Sequence, residues 1–559
     1  MGPVGPVGPC RPVGRPRIGA GQHVGMRNAH TVEQVRGAEA PLLASLPPGA
    51  LMQRAVHGLV AHAARRLGRV YGARVVVLAG GGDNGGDALW AGARLAARGA
   101  RIDAVAPGRT HPEGTAALLA AGGRLHHPGP VVGAGGPAGA GQPIDDERLR
   151  ILFAAADLVL DGLLGIGGRG GLREPYARLA VLAPPERTVA VDVPSGVDAD
   201  TGAVAGPAVR ASSTVTFGTR KRGLWLMPGA AHTGPVELVD IGLDLPEPDL
   251  CALDDADVAA ALPVPSPTAS KYSRGVLGLV AGSDAYPGAA VLAVGGALRG
   301  GAGYLRVVTA GHAEKVAGEA VGAVVSRAGD FVRMAHPEAV VTVIEAGDAD
   351  TMLAAGRVQA WAIGPGLAPG PAVRTLLTAL LATDLPVLVD AGGLDPLAEI
   401  IAARPAVAER AAPVLITPHE GEFQRFVSVA LGRDAQATVA ELADDRLAVL
   451  RRAAAATGAV ILLKGARTLV VRPDGSALVN TTGSAWLGTA GTGDVLTGLI
   501  GSLLAAGLAP ATAGAVGAYL HGRAAERAPA PLAANDLPAL LPQVIGDLLD
   551  RRRMPRGVA

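Results

Sequence analysis

Short, continuous runs of apolar residues recur along this chain, and many of them lead directly into a glycine-rich or polar loop. The runs at 74–79, 360–363 and 460–463 are built almost entirely from Val, Leu, Ile and Ala. Such runs are typical of strands in a parallel sheet, which are buried on both faces. Segments with apolar residues at helical spacing, such as 31–67 and 89–98, flank them. The alternation of buried strands with helices predicts an α/β fold with parallel sheets.

In the first part of the chain, three predicted strands end in loops that carry acidic, amide or hydroxyl side chains. The carboxyl ends of parallel strands share one edge of a sheet, and α/β sheets bind ligands at that edge. Oxygen atoms of Asn84, Asp161 and Ser195 would suit a hard cation, because these loops contain no Cys or His. Asp192 is left as a candidate acid or base. The loops read GGGDNGGDA (80–88), GLLGIGGRGG (162–171, directly after Asp161) and DVPSG (192–196).

The first of these loops has further interpretations. Gly80, Gly82 and Gly85 match the spacing of a dinucleotide-binding fingerprint, and Asp103 lies where an acidic residue would bind a ribose hydroxyl. A turn rich in Asx residues explains the same loop without any ligand. Spacing alone leaves these alternatives open.

In the second part, a glycine-dense turn at 487–499, LGTAGTGDVLTGL, leads into an apolar helix. Gly488, Gly491 and Gly493 permit positive φ, and the helix start offers unpaired N–H groups and the positive end of its dipole. Such a turn can hold a phosphate. Asp494 would lie beside a bound phosphoryl group and could take a proton from an attacking hydroxyl. The turn predicts phosphoryl transfer, although an ordinary helix cap has a similar composition.

Other polar groups follow predicted strands of the second part. A single His or Lys at a strand end is usually structural. His419, Glu420, Glu422, Lys464 and Arg467 occur in one domain with a phosphate-type turn, and this combination favours a functional site. The loops concerned read GSDAYPGAA (282–290), GPG (364–366), DAGG (390–393), TPHEGEF (417–423) and KGART (464–468).

Composition narrows the functional class. With 50 basic and 49 acidic residues, the chain gives no argument for nucleic acid or a membrane surface as a partner. The longest apolar candidate for a membrane span, 499–518, is interrupted by Pro510 and predicts two helices joined by a turn. The two cysteines, Cys10 and Cys251, argue against a disulfide framework or zinc site and for a reducing, cytoplasmic compartment.

A chain of 559 residues is too long for one core. The segment 244–268 is rich in Pro, Asp and Ala, and it predicts a linker between two domains. The N-terminal repeat GPVGPVG predicts disorder, with Met26 as an alternative start. The predicted division is a disordered tail (1–25), a first domain (26–243), the linker (244–268), a second domain (269–549) and a C-terminal tail (550–559).

Both domains resemble known enzyme families through several motifs in a fixed order. The first resembles the NAD(P)H-hydrate epimerase domain through GDNGGDA, DGLLGIGGRGG and DVPSG. The second resembles the ribokinase-like ADP/ATP-dependent NAD(P)H-hydrate dehydratases through GSDAYPGAA, GPG, TPHEGEF, LLKGART and AGTGDVLTG. Fused in this order, they resemble the bifunctional bacterial enzymes that repair nicotinamide nucleotides. The resemblance implies an α/β protein in which a Rossmann-like three-layer αβα domain precedes a ribokinase-like α/β domain.

The resemblance implies that the first domain interconverts the R and S hydrates of NAD(P)H. The second domain would dehydrate the S form to NAD(P)H with ADP, releasing AMP and phosphate. Implied cofactors are K⁺ for the first domain, and Mg²⁺ with ADP as phosphoryl donor for the second. The expected partners are these small molecules, without nucleic acid or membrane, and the chain is expected to form a homo-oligomer.

Residue by residue, the resemblance implies roles at the positions that match each motif. Asp494 and Asp192 would be catalytic. K⁺ would bind to Asn84, Asp161 and Ser195. The hydrated nucleotide would contact Asp83, Asn84, Gly85, Gly86, Asp87, Gly165, Ile166, Gly167, Gly168, Arg169, Gly170, Gly171, Asp192, Ala289, Gly366, His419 and Asp494. The adenine nucleotide would contact Lys464, Gly465, Ala466, Arg467, Thr468 and Gly493.

One loop departs from the family pattern, which reads GNNGGDG. Here Asp83 and Ala88 replace its first Asn and its last Gly. An extra carboxylate could strengthen cation binding or repel a substrate phosphate, so weak epimerase activity is one expectation. Two other functions stay open at this stage. One is a vitamin-precursor kinase of the ribokinase type with a ligand-binding module in front, and the other is a non-catalytic NAD-sensing protein.

Overall fold

The structure is a computed structural model that describes residues 26–128, 142–316, 319–403 and 410–553. The predicted disordered tail, 1–25, lies outside these residues, as does Cys10. The last helix continues to Arg553, so 550–553 of the predicted C-terminal tail are helical, and 554–559 lie outside the described residues.

The elements of the chain alternate between helices and strands, as the sequence predicts. Those of the first part are β1 (Arg27–His30), α1 (Val32–Ser45), α2 (Ala50–Leu67), β2 (Arg74–Ala79), α3 (Asp83–Ala96), β3 (Arg101–Val105), α4 (Pro112–Ala120), β4 (Arg124–Pro128), β5 (Gln142–Ile144), α5 (Asp146–Ala155), β6 (Leu158–Gly162), α6 (Tyr176–Leu182), β7 (Thr188–Val191), β8 (Ser213–Phe217), β9 (Arg220–Lys221) and β10 (Val236–Val239).

The elements of the second part follow without a break. They are β11 (Leu250–Ala252), α7 (Asp255–Ala261), β12 (Val276–Val280), α8 (Pro287–Arg299), β13 (Tyr304–Val316), β14 (Glu319–Val325), α9 (Arg327–Ala335), β15 (Val340–Glu345), α10 (Ala349–Ala354), β16 (Ala360–Ile363), α11 (Pro371–Leu381), β17 (Val387–Val389), α12 (Leu394–Ala403), β18 (Val414–Ile416), α13 (Glu420–Leu431), α14 (Ala435–Thr457), β19 (Val460–Leu463), β20 (Leu469–Val471), β21 (Ala477–Val479), α15 (Thr492–Ala505), α16 (Pro510–Arg527) and α17 (Asp536–Arg553).

The first sheet is parallel and is covered by helices on both faces. Among the described residues its strand order is β10-β8-β7-β6-β2-β3-β4-β5, and each neighbouring pair is parallel. Val75 and Val77 pack against α2 and α3, whereas Val76 and Leu78 pack against α5 and α6. Successive side chains of a strand point to opposite faces, so a continuous apolar run lets β2 bury both.

The second sheet is also covered on both faces. Its central strands β15-β13-β12-β16-β17-β18-β19 run parallel to one another, and β20 and β21 continue the sheet as antiparallel strands. Leu277 and Leu279 face the cluster that contains α8, α15 and α16, whereas Val276 and Val280 face α11, α12 and α13. The mixed α/β fold with parallel sheets that the apolar runs predict is therefore confirmed.

The segment 244–268 is more than a linker. Its strand β11 pairs with β1 on one side and with β21 on the other, so strands from the first part extend the second sheet. The Asp249 carboxylate accepts hydrogen bonds from Arg222 at 2.7 Å and from Arg451 at 3.3 Å, and so joins the two parts. The interpretation of 244–268 as a plain boundary is wrong because Leu250 and Ala252 are buried between elements far away in sequence. The domain limits themselves stay a prediction.

The loop predicted at 80–88 is shorter in the structure. Helix α3 already begins at Asp83, with Gly82 as an extended N-cap residue. A Cβ on Gly85 would lie 2.1 Å from the carbonyl oxygen of Gly80. This close approach requires glycine, so tertiary contact outweighs the low helix propensity of the DNGG segment.

The segment 499–518 is helical on both sides of a turn, as predicted, with α15 ending at Ala505 and α16 starting at Pro510. Both helices lie in the core of the second part. Among the described residues, no helix combines the length and the apolar character that crossing a lipid bilayer requires.

Helices α8 and α15 approach closely through glycine, which leads to a stability prediction. A Cβ on Gly498 would lie 1.8 Å from the carbonyl oxygen of Ala293. We expect Gly498→Ala to lower the free energy of unfolding by about 1–3 kcal/mol or more, because two helix backbones must separate. Gly288→Ala on α8 is the matched control, since its Cβ would meet no atom within 4 Å. Chemical denaturation measures both, and equal stabilities would contradict the prediction.

Candidate functional sites

The loops after β2, β6 and β7 meet at one edge of the first sheet. The strand order places β3 on one side of β2 and β6 on the other. The order in which successive strands are added across the sheet therefore reverses between β2 and β6. Such a switch point leaves a crevice beyond the carboxyl ends of the strands, where open α/β sheets bind ligands. A Cβ on Gly80 would lie 1.8 Å from the carbonyl oxygen of Leu163, which shows how closely these loops pack.

The three residues predicted to hold a cation lie at this edge: Asn84 in the first turn of α3, Asp161 near the end of β6 and Ser195 on the loop after β7. Asp161 is fully buried, and its carboxylate accepts hydrogen bonds from Ser195 Oγ at 2.7 Å and from the Ser195 backbone N–H at 2.9 Å. Burial raises the pKa of Asp161 to about 6, although the hydrogen bonds from Ser195 and Leu163 oppose that rise. A Cβ on Gly165 would lie 3.0 Å from Asn84 Oδ1, so the Asn84 side chain packs against the loop that follows Asp161.

These residues fit a hard cation by their chemistry. The side-chain donors are an amide oxygen, a carboxylate and a hydroxyl, and nitrogen or sulfur ligands are missing from this set. The amide nitrogen of Asn84 is buried without a hydrogen-bond partner among the described residues. This nitrogen is a donor that lacks an acceptor, so the fit to a cation depends on the oxygen atoms of the three side chains and not on that nitrogen.

Asp192, predicted as the acid or base, has a distinctive setting. Its φ of 67° lies in the left-handed region, which a non-glycine residue rarely adopts. Its Oδ1 atom accepts hydrogen bonds from Lys221 Nζ at 2.5 Å, from Thr216 Oγ1 at 3.0 Å and from the Phe217 N–H at 3.3 Å. Lys221 is buried, with 1% of its surface exposed. Because all three bonds end on Oδ1, the other oxygen of Asp192 is left for a ligand.

Further carboxylates surround this pair. Asp87 is buried, and its Oδ1 atom has no hydrogen-bond partner among the described residues. Burial raises the pKa of Asp87 well above its ordinary value, and the charges of Asp192, Asp83 and Glu39 raise it further while Lys221 opposes them. Burial likewise raises the pKa of Glu39. The site is therefore an acidic pocket around one buried lysine.

The glycine loop 165–171 only partly joins this site. Ile166 packs against the cluster that contains Val193, next to Asp192. Gly171 instead faces the backbone of Ala205, and Arg169 is exposed. Ala88, one of the departures from the family pattern, is fully buried in α3, where a Cβ on Gly162 would contact it.

Asp103 lies elsewhere, so the dinucleotide-fingerprint interpretation is wrong. Its carboxylate contacts His126 Nε2 at 2.8 Å and Arg124 Nη1 at 3.9 Å. These groups belong to β3 and β4, away from the loop 80–88. The spacing suggested a ribose ligand because sequence distance does not reveal where in a strand the acid lies.

A second group of polar side chains lies at the carboxyl ends of β17, β18 and β19 and at the start of α15. Lys464 Nζ donates to Asp390 Oδ1 at 2.8 Å and lies 3.7 Å from Glu422 Oε2. Thr497 Oγ1 donates to the other oxygen of Asp390 at 2.7 Å. Burial lowers the pKa of Lys464, but the charges of Asp390 and Glu422 outweigh that effect and raise it. Lys464 is therefore held as a fixed positive charge.

Asp494 lies in the first turn of α15 beside this lysine. Gly491, the N-cap residue, has a φ of 90°, and a Cβ on Gly493 would lie 3.5 Å from Lys464 Nζ. Burial raises the pKa of Asp494 to about 7, with further increases from the charges of Asp390 and Glu422 and a decrease from Lys464. A carboxylate with such a pKa can accept a proton near neutral pH.

The other predicted residues of the second part lie around this group. His419 is the N-cap of α13, and its Nδ1 atom accepts hydrogen bonds from the Gly421 and Glu422 N–H groups. His419 also forms a β-bridge with Lys464. Gly366 has a φ of 67°, and a Cβ there would lie 2.7 Å from the Ala289 methyl carbon. The loops after β12 and β16 thus meet, as those after β2 and β6 do.

The segment predicted to bind the adenine nucleotide, 464–468, is open at its centre. Gly465 and Ala466 are exposed, and a Cβ on Gly465 would meet no atom within 4 Å. Arg467 points away from that opening, because its Nη1 atom donates to the carbonyl oxygen of Thr481 at 2.7 Å. Thr468 is buried and donates to the carbonyl oxygen of Gly465.

Several residues of these sites were missed by reasoning from sequence. Lys221 and Glu39 come from a short strand and a helix that lie far in sequence from the glycine loops. Thr497 looked like part of an apolar helix, although its spacing of one turn from Asp494 places both on a similar face. The position of Asp390 after a predicted strand, in DAGG, indicated a possible site residue. Its pairing with Lys464 could not be predicted from the sequence spacing.

Metal binding in the second part has a different basis. Among the described residues, no cluster of three or more His, Cys, Asp or Glu side chains is arranged to hold a metal ion. Mg²⁺ usually keeps several waters and binds through one or two carboxylates together with substrate phosphates. This part of the chain therefore fits Mg²⁺ only as a companion of a bound phosphate donor.

Two family models match the chain in the order of its two parts. The model described as YjeF-related protein N-terminus matches residues 48–223, and the model described as NAD(P)H-hydrate dehydratase matches residues 277–547. The first range contains the Asp161, Asp192 and Lys221 group. The second contains Asp390, Lys464 and Asp494.

Curated relatives match over nearly their whole length. The bifunctional NAD(P)H-hydrate repair enzyme of Mycobacterium tuberculosis is 44% identical, covering 86% of this chain and 90% of the relative. That of Mycobacterium leprae is 42% identical, covering 94% and 98%. An ADP/ATP-dependent NAD(P)H-hydrate dehydratase from Bacillus subtilis, crystallised with ATP and Mg²⁺, is 33% identical, with a TM-score of 0.44; the match covers 53% of this chain and 98% of that one.

Proposed function

This chain belongs to the family of bifunctional NAD(P)H-hydrate repair enzymes, and we propose that it restores NADH and NADPH from their hydrated forms. The first part interconverts the R and S hydrates, and the second part dehydrates the S hydrate with ADP as phosphoryl donor. The observation that carries the proposal is Asp494, a half-buried carboxylate with a pKa of about 7 beside the fixed charge of Lys464.

In the second part, Asp494 would act as a general base. It takes the proton from the hydroxyl of the hydrate while that oxygen forms a bond to the terminal phosphorus of ADP. The bond from this phosphorus to its bridging oxygen breaks, and AMP leaves. Lys464 and the N–H groups at the start of α15 stabilise the negative charge on the transferred phosphoryl group. The electron pair of the ring nitrogen then expels phosphate from the hydrated carbon. Loss of a proton from the ring carbon on the other side of the hydrated carbon restores the double bond.

In the first part, Asp192 would transfer the proton. Inversion at the hydrated carbon requires its hydroxyl to leave and to return on the opposite face, with a proton delivered and removed. Lys221 holds Oδ1 of Asp192, so Oδ2 is presented to the substrate. The buried setting limits access of bulk water, which strengthens electrostatic interactions within the site.

The proposed K⁺ would be held by Asn84, Asp161 and Ser195, and it would offset negative charge on the substrate phosphates or on this acidic pocket. Mg²⁺ would enter the second part with the nucleotide and neutralise its phosphates. The nucleotide itself would lie along Lys464 to Thr468 and reach Gly493, where the exposed Gly465 leaves space.

A mixture of R and S NADHX, incubated with the protein and either ADP or ATP, tests the function. We expect loss of both epimers on chromatography, recovery of NADH, and release of phosphate with AMP from ADP or with ADP from ATP, with faster turnover on ADP than on ATP. Omitting the donor should leave epimer interconversion intact while stopping dehydration. Accumulation of a stable phosphorylated product would instead indicate a small-molecule kinase, and persistence of both epimers would refute the proposal.

The pH dependence of dehydration follows from Asp494. As a base it must be ionised, so kcat/KM should rise with pH and reach half its maximum near pH 7. Below that midpoint we expect a decrease of about tenfold per pH unit. Glu422→Gln should move the midpoint to lower pH, because the charge of Glu422 raises the pKa of Asp494. A pH-independent rate between pH 5 and 9 would contradict the role of Asp494.

A further inference from the structure

A cleft lies at the edge of the first sheet opposite the Asp192 site. It has a volume of about 460 Å³ and is lined by the first residues of β2, β3, β4 and β5 and by one side of α5. Catalytic loops follow the carboxyl ends of these strands, so the length of β2 separates the two places by about 20 Å. The cleft is therefore distinct from the site already described. Cavities of about 300–1,000 Å³ are typical of small-molecule sites.

The cleft is strongly basic. Its lining contains four arginines, Arg74, Arg101, Arg124 and Arg148. Among its described lining residues, Asp103 is the one acidic residue. Asp103 is already bonded to His126 at 2.8 Å, and Arg124 lies 3.9 Å from it.

Neighbouring carboxylates neutralise these arginines only in part: Asp157 accepts a hydrogen bond from the Arg74 backbone N–H at 2.8 Å, and Asp103 lies 3.9 Å from Arg124. Arg74 and Arg101 are register partners on adjacent parallel strands, so two like charges lie close together and repel each other. A bound anion would remove this repulsion, and guanidinium groups bind phosphate in a bidentate manner.

The cleft also has an apolar wall. Ile102, Ile144, Ile151 and Leu152 line it, and Ile151 on α5 is 61% exposed. An exposed Ile beside several arginines suits a ligand with both an apolar, planar group and negative charges. A nucleotide has this combination, whereas an inorganic anion lacks the apolar part.

We propose that this arginine cleft, formed by Arg74, Arg101, Arg124 and Arg148 with Ile151, is a second binding site for a phosphorylated nucleotide. The phosphates lie among the arginines, and the base packs on Ile151 and Leu152. The proposal depends neither on the epimerase nor on the dehydratase activity.

Hydrogen exchange of the full chain, measured by mass spectrometry with pyrophosphate or ADP, tests the proposal region by region. Both probes should slow exchange in peptides that cover 100–105 and 142–155, separately from any effect at 464–494. ADP should act at about tenfold lower concentration than pyrophosphate, because the base adds apolar contacts. The double variant Arg101→Gln and Arg148→Gln should weaken both effects about tenfold or more, since it removes two charged hydrogen-bond donors.

The matched control is the double variant Arg98→Gln and Arg150→Gln. It removes the same charge from the same region, and both residues are exposed outside the cleft lining. We expect its affinities to stay within about twofold of the unchanged protein. If both double variants lose affinity equally, binding depends on general surface charge and the proposal is overturned. Missing protection at 100–105 and 142–155 would overturn it outright, and equal potency of pyrophosphate and ADP would overturn the nucleotide assignment.

Discussion

Asp494→Asn is expected to lower the dehydration rate by about 10²- to 10⁴-fold, the usual contribution of a general base. The amide has a similar shape and cannot accept the hydroxyl proton. Epimer interconversion on the same chain should continue at its normal rate, because the Asp192 site lies in the other sheet. Quantifying both epimers and NADH over time by chromatography gives both rates from one sample.

The matched control for this variant is Asp434→Asn. Asp434 is also a carboxylate at a helix start of the second part, where it caps α14 by accepting a hydrogen bond from the Ala437 N–H. Asn caps a helix about as well as Asp, so this variant should leave both stability and dehydration nearly unchanged. Near-normal turnover in Asp494→Asn would remove that carboxylate from the mechanism.

Lys221→Met should have the largest effect on the first part. The substitution leaves the Asp192 charge buried without its ion-pair partner, which typically costs about 3–5 kcal/mol of folding free energy. It also removes the shortest of the three hydrogen bonds to Oδ1 of Asp192 and leaves those from Thr216 and Phe217, so the carboxylate is held less firmly, and epimer interconversion should fall by about 10²-fold or more. Chemical denaturation and the epimerisation rate measure the two effects, and dehydration of purified S hydrate serves as the internal control.

The double variant Lys221→Met with Asp192→Asn separates charge from packing. It removes both charges, so it should recover much of the stability that Lys221→Met loses, while epimerisation stays low. Lys221→Arg keeps the charge but changes the shape of a fully buried side chain, so we expect only partial recovery. Additive stability losses in the double variant would argue that the ion pair in the structure is not energetically important.

Much of the architecture could be predicted from sequence because a buried parallel strand is a local pattern. The strands predicted at 74–79 and 460–463 coincide with β2 and β19. The turn at 487–499 and the helix break before Pro510 could also be predicted. Glycine permits positive φ and proline fixes φ, and both effects are local. What these patterns could not show is how the strands are ordered, and hence which loops meet.

The predictions from sequence were wrong where a short element or a single side chain depends on partners that are distant in the sequence. Strand β11 has three residues in a Pro- and Asp-rich context, and it exists because β1 and β21 flank it. Asp103 matched a ribose-binding spacing, but its register opposite Arg124 places it in the arginine cleft. The residues near β11 and Asp103 in the sequence do not indicate these strand pairings.

The sequence by itself determined the α/β class, the apolar strands, the phosphate-type turn and the identity of Asp192 and Asp494 as candidate acids or bases, since each depends on neighbouring residues. Only the tertiary structure decided that Lys221 reaches Asp192, that Asp390 and Thr497 fix Lys464 beside Asp494, and that β1, β9 and β11 extend the second sheet. The physical reason is that charge pairing and burial act through space. Their partners are brought together by the order of strands in a sheet, which sequence proximity does not encode.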